Sequence, residues 1–336
     1  MIRNAVTCNA TILGGIAGTS LAPDERDFFR AADPWGFILF GRNVESPGQL
    51  RRLTGDLREA VGRDAVIMVD QEGGRVQRLR APHWREWSPP LDQAGAGARA
   101  MWLRYRLIGA ELRAVGIDAD CAPGLDVAQP GTHPFLLNRC LGSDPACVAE
   151  LGRAAADGLL AAGVLPVMKH MPGHGRAVSD SHHDLPVVMA EADDLDAVDF
   201  APFRALNDLP MGMTGHIRFA ALDDAPATAS ARIVSVIRDR IGFDGLLMTD
   251  DITMNALSGS EAERAAAAIG AGCDLVLHCN RGVADMEYVV AAAGPMTPQA
   301  QRRADAALAM RRAPETCDAA ALLAEYRVLV PDAATA

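Results

Sequence analysis

Eight short apolar runs recur along the 336-residue chain, separated by longer, helix-periodic stretches rich in Arg, Glu and Ala. That alternation constrains the fold more than any other feature. The runs are ATILGGI (10–16), GFILFGRN (36–43), AVIMVDQEGG (65–74), IDADCAPGLDV (117–127), VLPVMKH (164–170), MGMTGHI (211–217), GLLMTDD (245–251) and CDLVLHCN (273–280). Uninterrupted Val/Ile/Leu/Met stretches suit strands covered on both faces. Between them, 24–32, 47–62, 98–115, 145–162, 191–207, 230–241, 260–271 and 282–293 read as helices. Ser46-Pro47 and Ser143-Asp144-Pro145 mark starts, and Gly116, Gly163 and Gly272 follow ends. Sustained strand–helix alternation implies parallel strands with right-handed crossovers, and eight units close into a (β/α)8 TIM barrel. The rival, an open doubly wound sheet, lacks its phosphate-binding turn, because GGIAGTS (14–20) matches GxGxxG poorly. Residues 1–336 therefore read as a single catalytic domain, with the barrel over about 8–295 and a C-terminal helical extension over about 298–330.

Composition narrows the function. The chain is 49% hydrophobic, enough for a large core, and its net charge of −11 argues against a nucleic-acid partner. No stretch reaches the roughly 18 apolar residues of a membrane span. Residues 5–22 carry no charge and follow Arg3, as a signal peptide would, but Thr7, Asn9 and Gly14-Gly15 interrupt the apolar stretch. It reads as the first strand and its turn. Seven cysteines, an odd number without CxxC spacing, suit reduced buried thiols and a cytoplasmic protein. The expectation is a cytoplasmic monomer acting on a small substrate.

In such a barrel the active site lies at the C-terminal ends of the strands. Polar residues collect there: Asp70-Gln71-Glu72-Gly73-Gly74-Arg75, Asp126, Lys169-His170, His216, Asp250-Asp251, and His278 with Asn280. Lys169 is the chain's only lysine among 32 basic residues, which points to a compact ammonium donating to a ligand hydroxyl in a tight pocket. The loop KHMPGHGRAVSDSHHDLP (169–186) holds four histidines and two aspartates, and Asp180-Ser181-His182 could set a carboxylate against an imidazole. The same histidines, with Asp250 or His216, would permit a metal site, but Pro172, Gly173 and Gly175 forbid the helix that His-x3-His ligation uses. No metal or organic cofactor is expected. Neighbouring strand residues face opposite ways, so only one of Asp250 and Asp251 should reach the pocket centre.

VDQEGGRVQRL (69–79), APGLDV (122–127), NRCLGSDP (138–145), KHMPGHG (169–175) with DSHHDLP (180–186), and GFDGLLMTDDITM (242–254) together resemble the family 3 glycoside hydrolases. They most resemble the single-barrel bacterial β-N-acetylglucosaminidases of cell-wall recycling. Met171 stands where the family usually has Phe, and NRCLGSDP is looser than the usual stretch around Arg139. The resemblance implies a retaining mechanism in which Asp250 is the nucleophile and His182, paired with Asp180, is the acid/base. It also implies that Asp70, Arg78, Arg139, Lys169 and His170 bind sugar hydroxyls, with Arg78 or Arg139 alternatively serving as salt-bridge partners of Asp70 or Asp250. Asp126 and His216 fit strand ends lining the same pocket. The implied substrates are muropeptide fragments with a terminal N-acetylglucosamine. Phosphorolysis on the same site and, less favoured, a metal-dependent barrel hydrolase are the alternatives. Loop 172–184 is expected to move so that His182 reaches the scissile oxygen.

Overall fold

The apolar runs become strands whose side chains are buried on both faces. The computed structural model describes residues 8–181 and 183–331. Among these, eight parallel strands close a barrel: β1 Asn9–Leu13, β2 Pro34–Leu39, β3 Val66–Val69, β4 Ala119–Asp120, β5 Leu165–Met171, β6 Met211–Thr214, β7 Leu246–Asp251 and β8 Leu275–His278. Each strand pairs with the next in sequence, and β8 closes on β1 through Thr11↔Val276 to Leu13↔His278. Residues such as Ile12, Phe37, Ile67, Val167 and Leu247 are fully buried.

The crossovers begin and end where their punctuation requires. Helix α1 spans Pro23–Ala32, α2 Pro47–Val61, α3 Gly97–Arg113 and α4 Pro145–Ala161. Ser46 caps α2 by accepting from the Gln49 N–H at 3.3 Å, and Asp144 caps α4 by accepting from the Cys147 N–H at 2.9 Å. The fifth crossover departs from the continuous helix expected over 191–207. A turn at Ala192–Asp194 leads into a wide π turn at Leu195–Asp199, and α5 covers only Ala201–Ala205. Pro202 lacks the N–H that an unbroken α-helix would use. The sixth is also shorter than expected, with α6 at Ala231–Ser235 followed by a π turn to Arg240. Helices α7 Glu261–Ala271 and α8 Val283–Ala293 complete the ring.

The extension forms two helices, α9 Pro298–Met310 and α10 Ala319–Leu329. Arg303 fixes α9 to the buried Asp274 at 2.9 Å, and Tyr326 of α10 sets its ring edge-on to Trp87 at 5.4 Å. All seven cysteines are free; Cys147 and Cys317 are exposed and the other five buried. No helix of the described residues is long and apolar enough to cross a membrane.

Candidate active site

Beyond β3 the chain doubles back as a small antiparallel hairpin, Gln71–Gly73 against Val76–Gln77. The Gln71 side chain shapes it, accepting from the N–H groups of Arg78 (2.9 Å) and Leu79 (3.0 Å). Gly73 and Gly74 turn it with positive φ, and a Cβ on Gly73 would lie 2.6 Å from the Ser88 carbonyl. Buried Arg104 braces the hairpin from below by donating to the Glu72 and Ser88 carbonyls at 2.6 Å. This scaffold delivers Asp70, Glu72 and Arg78 to the top of the barrel.

Those carboxylates meet cations from two other segments. Lys169, on β5 and 1% exposed, donates to Asp70 Oδ1 at 2.9 Å and lies 2.6 Å from Glu72 Oε1. Arg139 grips Glu72 with two bonds, 2.9 Å from Nε and 2.7 Å from Nη2, in the fork geometry that guanidinium and carboxylate share. Arg78 donates to Asp70 Oδ2 at 3.0 Å. Burial by itself would raise both carboxyl groups. For Asp70 it is outweighed by Lys169 and Arg78, which hold it well below the usual range; for Glu72, by Arg139 and Lys169, which hold it at about 2. Both acids stay ionised at any working pH.

His170 follows Lys169 across a cis peptide, and both side chains line the cavity. Its Nδ1 lies 2.7 Å from Asp126 Oδ2, while Asp126 Oδ1 accepts from the His174 N–H at 2.7 Å. Burial would raise Asp126, but His170 beside it holds the carboxyl at about 2. His174 is buried with an unpartnered Nδ1, and burial, then the neighbouring His170, press it down to about 4.

Across the cavity, β7 ends in Asp250 and Asp251. Asp250 Oδ1 accepts from the Asp251 N–H at 2.8 Å, and its other oxygen takes no hydrogen bond from a described residue. Burial, which disfavours the anion, is outweighed by His216 and His170, the Asp251 N–H and Lys169, so the carboxyl lies below its ordinary value. Asp251 turns to structure. Its carboxylate accepts from Thr253 N–H (3.0 Å), Thr253 Oγ1 (2.7 Å), Asn280 Nδ2 (2.8 Å) and Cys279 N–H (3.1 Å). Both aspartates line the cavity, but the Asp251 carboxylate is taken up by its own neighbours.

These groups surround one cavity of about 760 Å³, lined by Asp70, Arg78, Arg139, Lys169, His170 and Asp250. Six calls of the sequence reading are thus brought together. The alternative role for the arginines is realised in part: Arg78 pairs with Asp70, whereas Arg139 pairs with Glu72 and not with Asp70 or Asp250. Lys169 is no surface cation, but it engages two carboxylates before any ligand arrives. Asp126 and His216 stand one layer behind, supporting His170 and Asp251.

On the loop, half-buried Asp180 accepts through its carbonyl from the N–H groups of His183 and Asp184 at 3.0 and 3.1 Å, and buried Ser181 lines the cavity. His182, the expected acid/base, lies outside the described residues. The described residues hold no group of three or more His, Cys, Asp or Glu suited to a metal ion. Sequence reasoning placed Glu72, the central anion of the cage, in the polar run after β3 without giving it a role in the site, and left out Arg104 beneath it. The Glu-Gly-Gly turn beside Asp70 was the available signal for Glu72.

Comparisons with known proteins identify the family. Residues 27–308 match the glycosyl hydrolase family 3 N terminal domain. A β-hexosaminidase of Bordetella avium is 39% identical over 282 residues, covering 80% of each chain, and one of Methylococcus capsulatus is 40% identical over 275 residues, covering 79% of this chain and 81% of that one. Among solved structures, a family 3 β-N-acetylglucosaminidase from Paenibacillus sp. superimposes with a TM-score of 0.86 at 29% identity, over 96% of this chain and 67% of that one. NagZ from Neisseria gonorrhoeae gives 0.83 at 29% identity, over 96% of both chains. Barrel, cage and strand-end aspartate thus meet in a chain that belongs to glycosyl hydrolase family 3 and is a glycoside hydrolase.

Proposed function

We propose that this enzyme is a retaining exo-β-N-acetylglucosaminidase that releases terminal N-acetylglucosamine from muropeptide fragments. The observation that carries the reading is Asp250. It is an ionised carboxylate on a rigid strand, with one oxygen held by a backbone N–H and the other left toward a cation-lined cavity. That is the disposition of a nucleophile attacking an anomeric carbon to form a glycosyl ester. The β-hexosaminidase and β-N-acetylglucosaminidase relatives support the choice of sugar.

The first step needs a proton donor for the departing glycosidic oxygen, and the second needs the same group as a base toward the incoming water, best with a pKa near neutrality. Asp70 and Glu72 are held ionised, Asp251 is engaged by four donors, and His174 is pushed to about 4. None of them suits the task. We assign that role to the loop histidine His182, paired with Asp180, as the resemblance to the family implies. Asp70, Arg78, Arg139, Lys169 and His170 then hold the sugar: carboxylate oxygens accept from hydroxyls, and the cations donate to their oxygens. The ion pairs keep these groups satisfied while the cavity holds only water.

Arg75, Arg78 and Arg80 line the same cavity, which favours phosphate as a second acceptor besides water. Free cysteines throughout suit a reducing cytoplasm, and a monomer suffices for a cavity built from one chain. The test is product analysis by NMR on an N-acetylglucosaminyl muropeptide, with and without phosphate. Retained β-configuration in the first-formed sugar is expected for hydrolysis, and a sugar 1-phosphate for phosphorolysis. Inversion, or no release of N-acetylglucosamine, overturns the reading.

A further inference from the structure

Three fully buried side chains stand behind the nucleophile, and the sugar would touch none of them. His216, just past β6, has its Nε2 2.9 Å from the Asp251 carbonyl and its Nδ1 2.7 Å from Thr228 Oγ1. Thr228 Oγ1 is in turn 2.9 Å from Thr214 Oγ1. All three residues are 0% exposed.

The chemistry of the partners fixes the direction of this chain. A carbonyl oxygen only accepts, so the His216 proton that meets it must sit on Nε2. Burial disfavours a second proton on the ring, so Nδ1 acts as the acceptor and takes the Thr228 hydroxyl. With its proton directed to His216, Thr228 receives the Thr214 hydroxyl. The Gly215 carbonyl, at 3.3 Å, is the longer alternative for Thr228. The outcome is one tautomer in one orientation, with an N–H aimed at the carbonyl of residue 251.

Residue 251 is thereby held on three sides. Its carbonyl is held by His216, its carboxylate by Asn280, Thr253 and the Cys279 N–H, and its own N–H is donated to Asp250 Oδ1. Fixing that N–H fixes which carboxylate oxygen of Asp250 is occupied. The other, Oδ2, is the one left for the sugar.

We propose that His216 is a positioning residue for the nucleophile: through its Nε2–H bond to the Asp251 carbonyl it holds the backbone N–H that engages Asp250 Oδ1, so that Oδ2 is presented for attack. The inference rests on Asp250 being the nucleophile. A displacement of about 1 Å in a reacting group can cost about 10²-fold in rate, so a residue that touches no substrate can still govern the chemical step.

The test compares His216→Leu, His216→Gln and Thr228→Val with the full-length wild type. The readouts are kcat, KM, thermal midpoint and the rate at which a 5-fluoro glycosyl inactivator labels the enzyme, with the labelled residue found by peptide mass. His216→Leu removes the donor at similar volume; its labelling rate and kcat are expected to fall by about 10²-fold with KM within about 2-fold. His216→Gln returns an N–H donor and is expected to recover most of that loss. Thr228→Val, which frees the tautomer, is expected to lower kcat by several-fold. Should His216→Leu fail to fold, the Gln and Val variants decide: wild-type labelling rates in Thr228→Val, or no advantage of Gln over another folded substitution such as His216→Ala, overturn the proposal. Equal losses across all variants that track thermal midpoint make His216 merely structural and also overturn it. Labelling of the wild type at a residue other than Asp250 removes the nucleophile reading itself, a failure separate from the first.

Discussion

The two ends of the barrel carry charge networks built from the same residue types, and they end in opposite ways. At the N-terminal end, buried Asp118 is met by Arg311 at 2.6 Å and Arg58 at 3.1 Å, while its other oxygen accepts from the Ile67 N–H at 2.8 Å. The same two arginines bind Asp64, so the network closes on itself and staples the segment after α9 to the barrel floor. At the C-terminal end, Asp70, Glu72, Lys169, Arg78 and Arg139 also pair, but they border an open cavity and share it with Asp250, one of whose oxygens takes no hydrogen bond from a described residue. Buried ion pairs do not by themselves mark a site. A site is marked where pairing stops short and the unpaired atom faces space a substrate can fill.

The sharpest way to break that contrast is Asp250→Asn. It removes the nucleophile and leaves the Asp251 N–H its acceptor, so kcat on an aryl N-acetylglucosaminide should fall on the order of 10⁴-fold or more with an unchanged melting temperature. Residual activity near wild type would end the mechanism. Next comes Lys169→Met, which strips the ammonium from between two buried carboxylates. Leaving them without their cation should cost about 3–5 kcal/mol in urea unfolding and about 10²-fold in kcat/KM. Asp118→Asn at the opposite end should lower stability by a few kcal/mol at most, since Arg58 and Arg311 keep Asp64, with kcat and KM unaltered. Loss of activity in that folded variant would erase the distinction between the two ends.

The pH dependence of stability separates the carboxyl groups further. Glu72 and Asp126 are held at about 2, below their unfolded values, so their contribution is complete above the ordinary carboxylate range and is lost as pH falls through about 4 toward 2. For Glu72 this is on the order of 3 kcal/mol. Asp120 is opposite in sign. Burial pushes it to about 8 against the Gln71 N–H that it accepts at 2.9 Å, and its Oδ2 has no partner. The folded state therefore binds that proton more tightly, and stability falls as pH rises from about 4 through 8. Asp120→Asn should flatten this decline in a thermal-melt series between about pH 4 and 8. An unchanged decline would place its origin elsewhere.

How much was legible follows from how far apart the interacting residues are. The strands and the starts of α2 and α4 depend on neighbours within one turn or one alternation, and local pattern located them within a few residues. The fifth crossover was misread as one helix although Pro202 interrupts it, and its π turn packs closely on a distant segment: a Cβ on Gly173 would lie 2.9 Å from the Asp199 side chain. Asp70, Lys169 and Asp250 were findable as polar residues closing apolar runs. Glu72 stands in the same polar run, but its partnership with Lys169 and Arg139, 97 and 67 positions away, leaves no local mark. Thr228 gives no signal at all, since a buried threonine reads as packing until His216 is placed 2.7 Å from it.

The sequence by itself determined the architecture and the end of the barrel where chemistry gathers, because eight repeats of a strand followed by a crossover leave one closed parallel arrangement and one polar rim. It also identified the family through five short segments in order. Only the tertiary structure decided which charges are spent on one another and which remain for a ligand. Pairing depends on distances of a few ångströms between residues far apart in the chain, and Coulomb and hydrogen-bond energies in a buried site change steeply over that range.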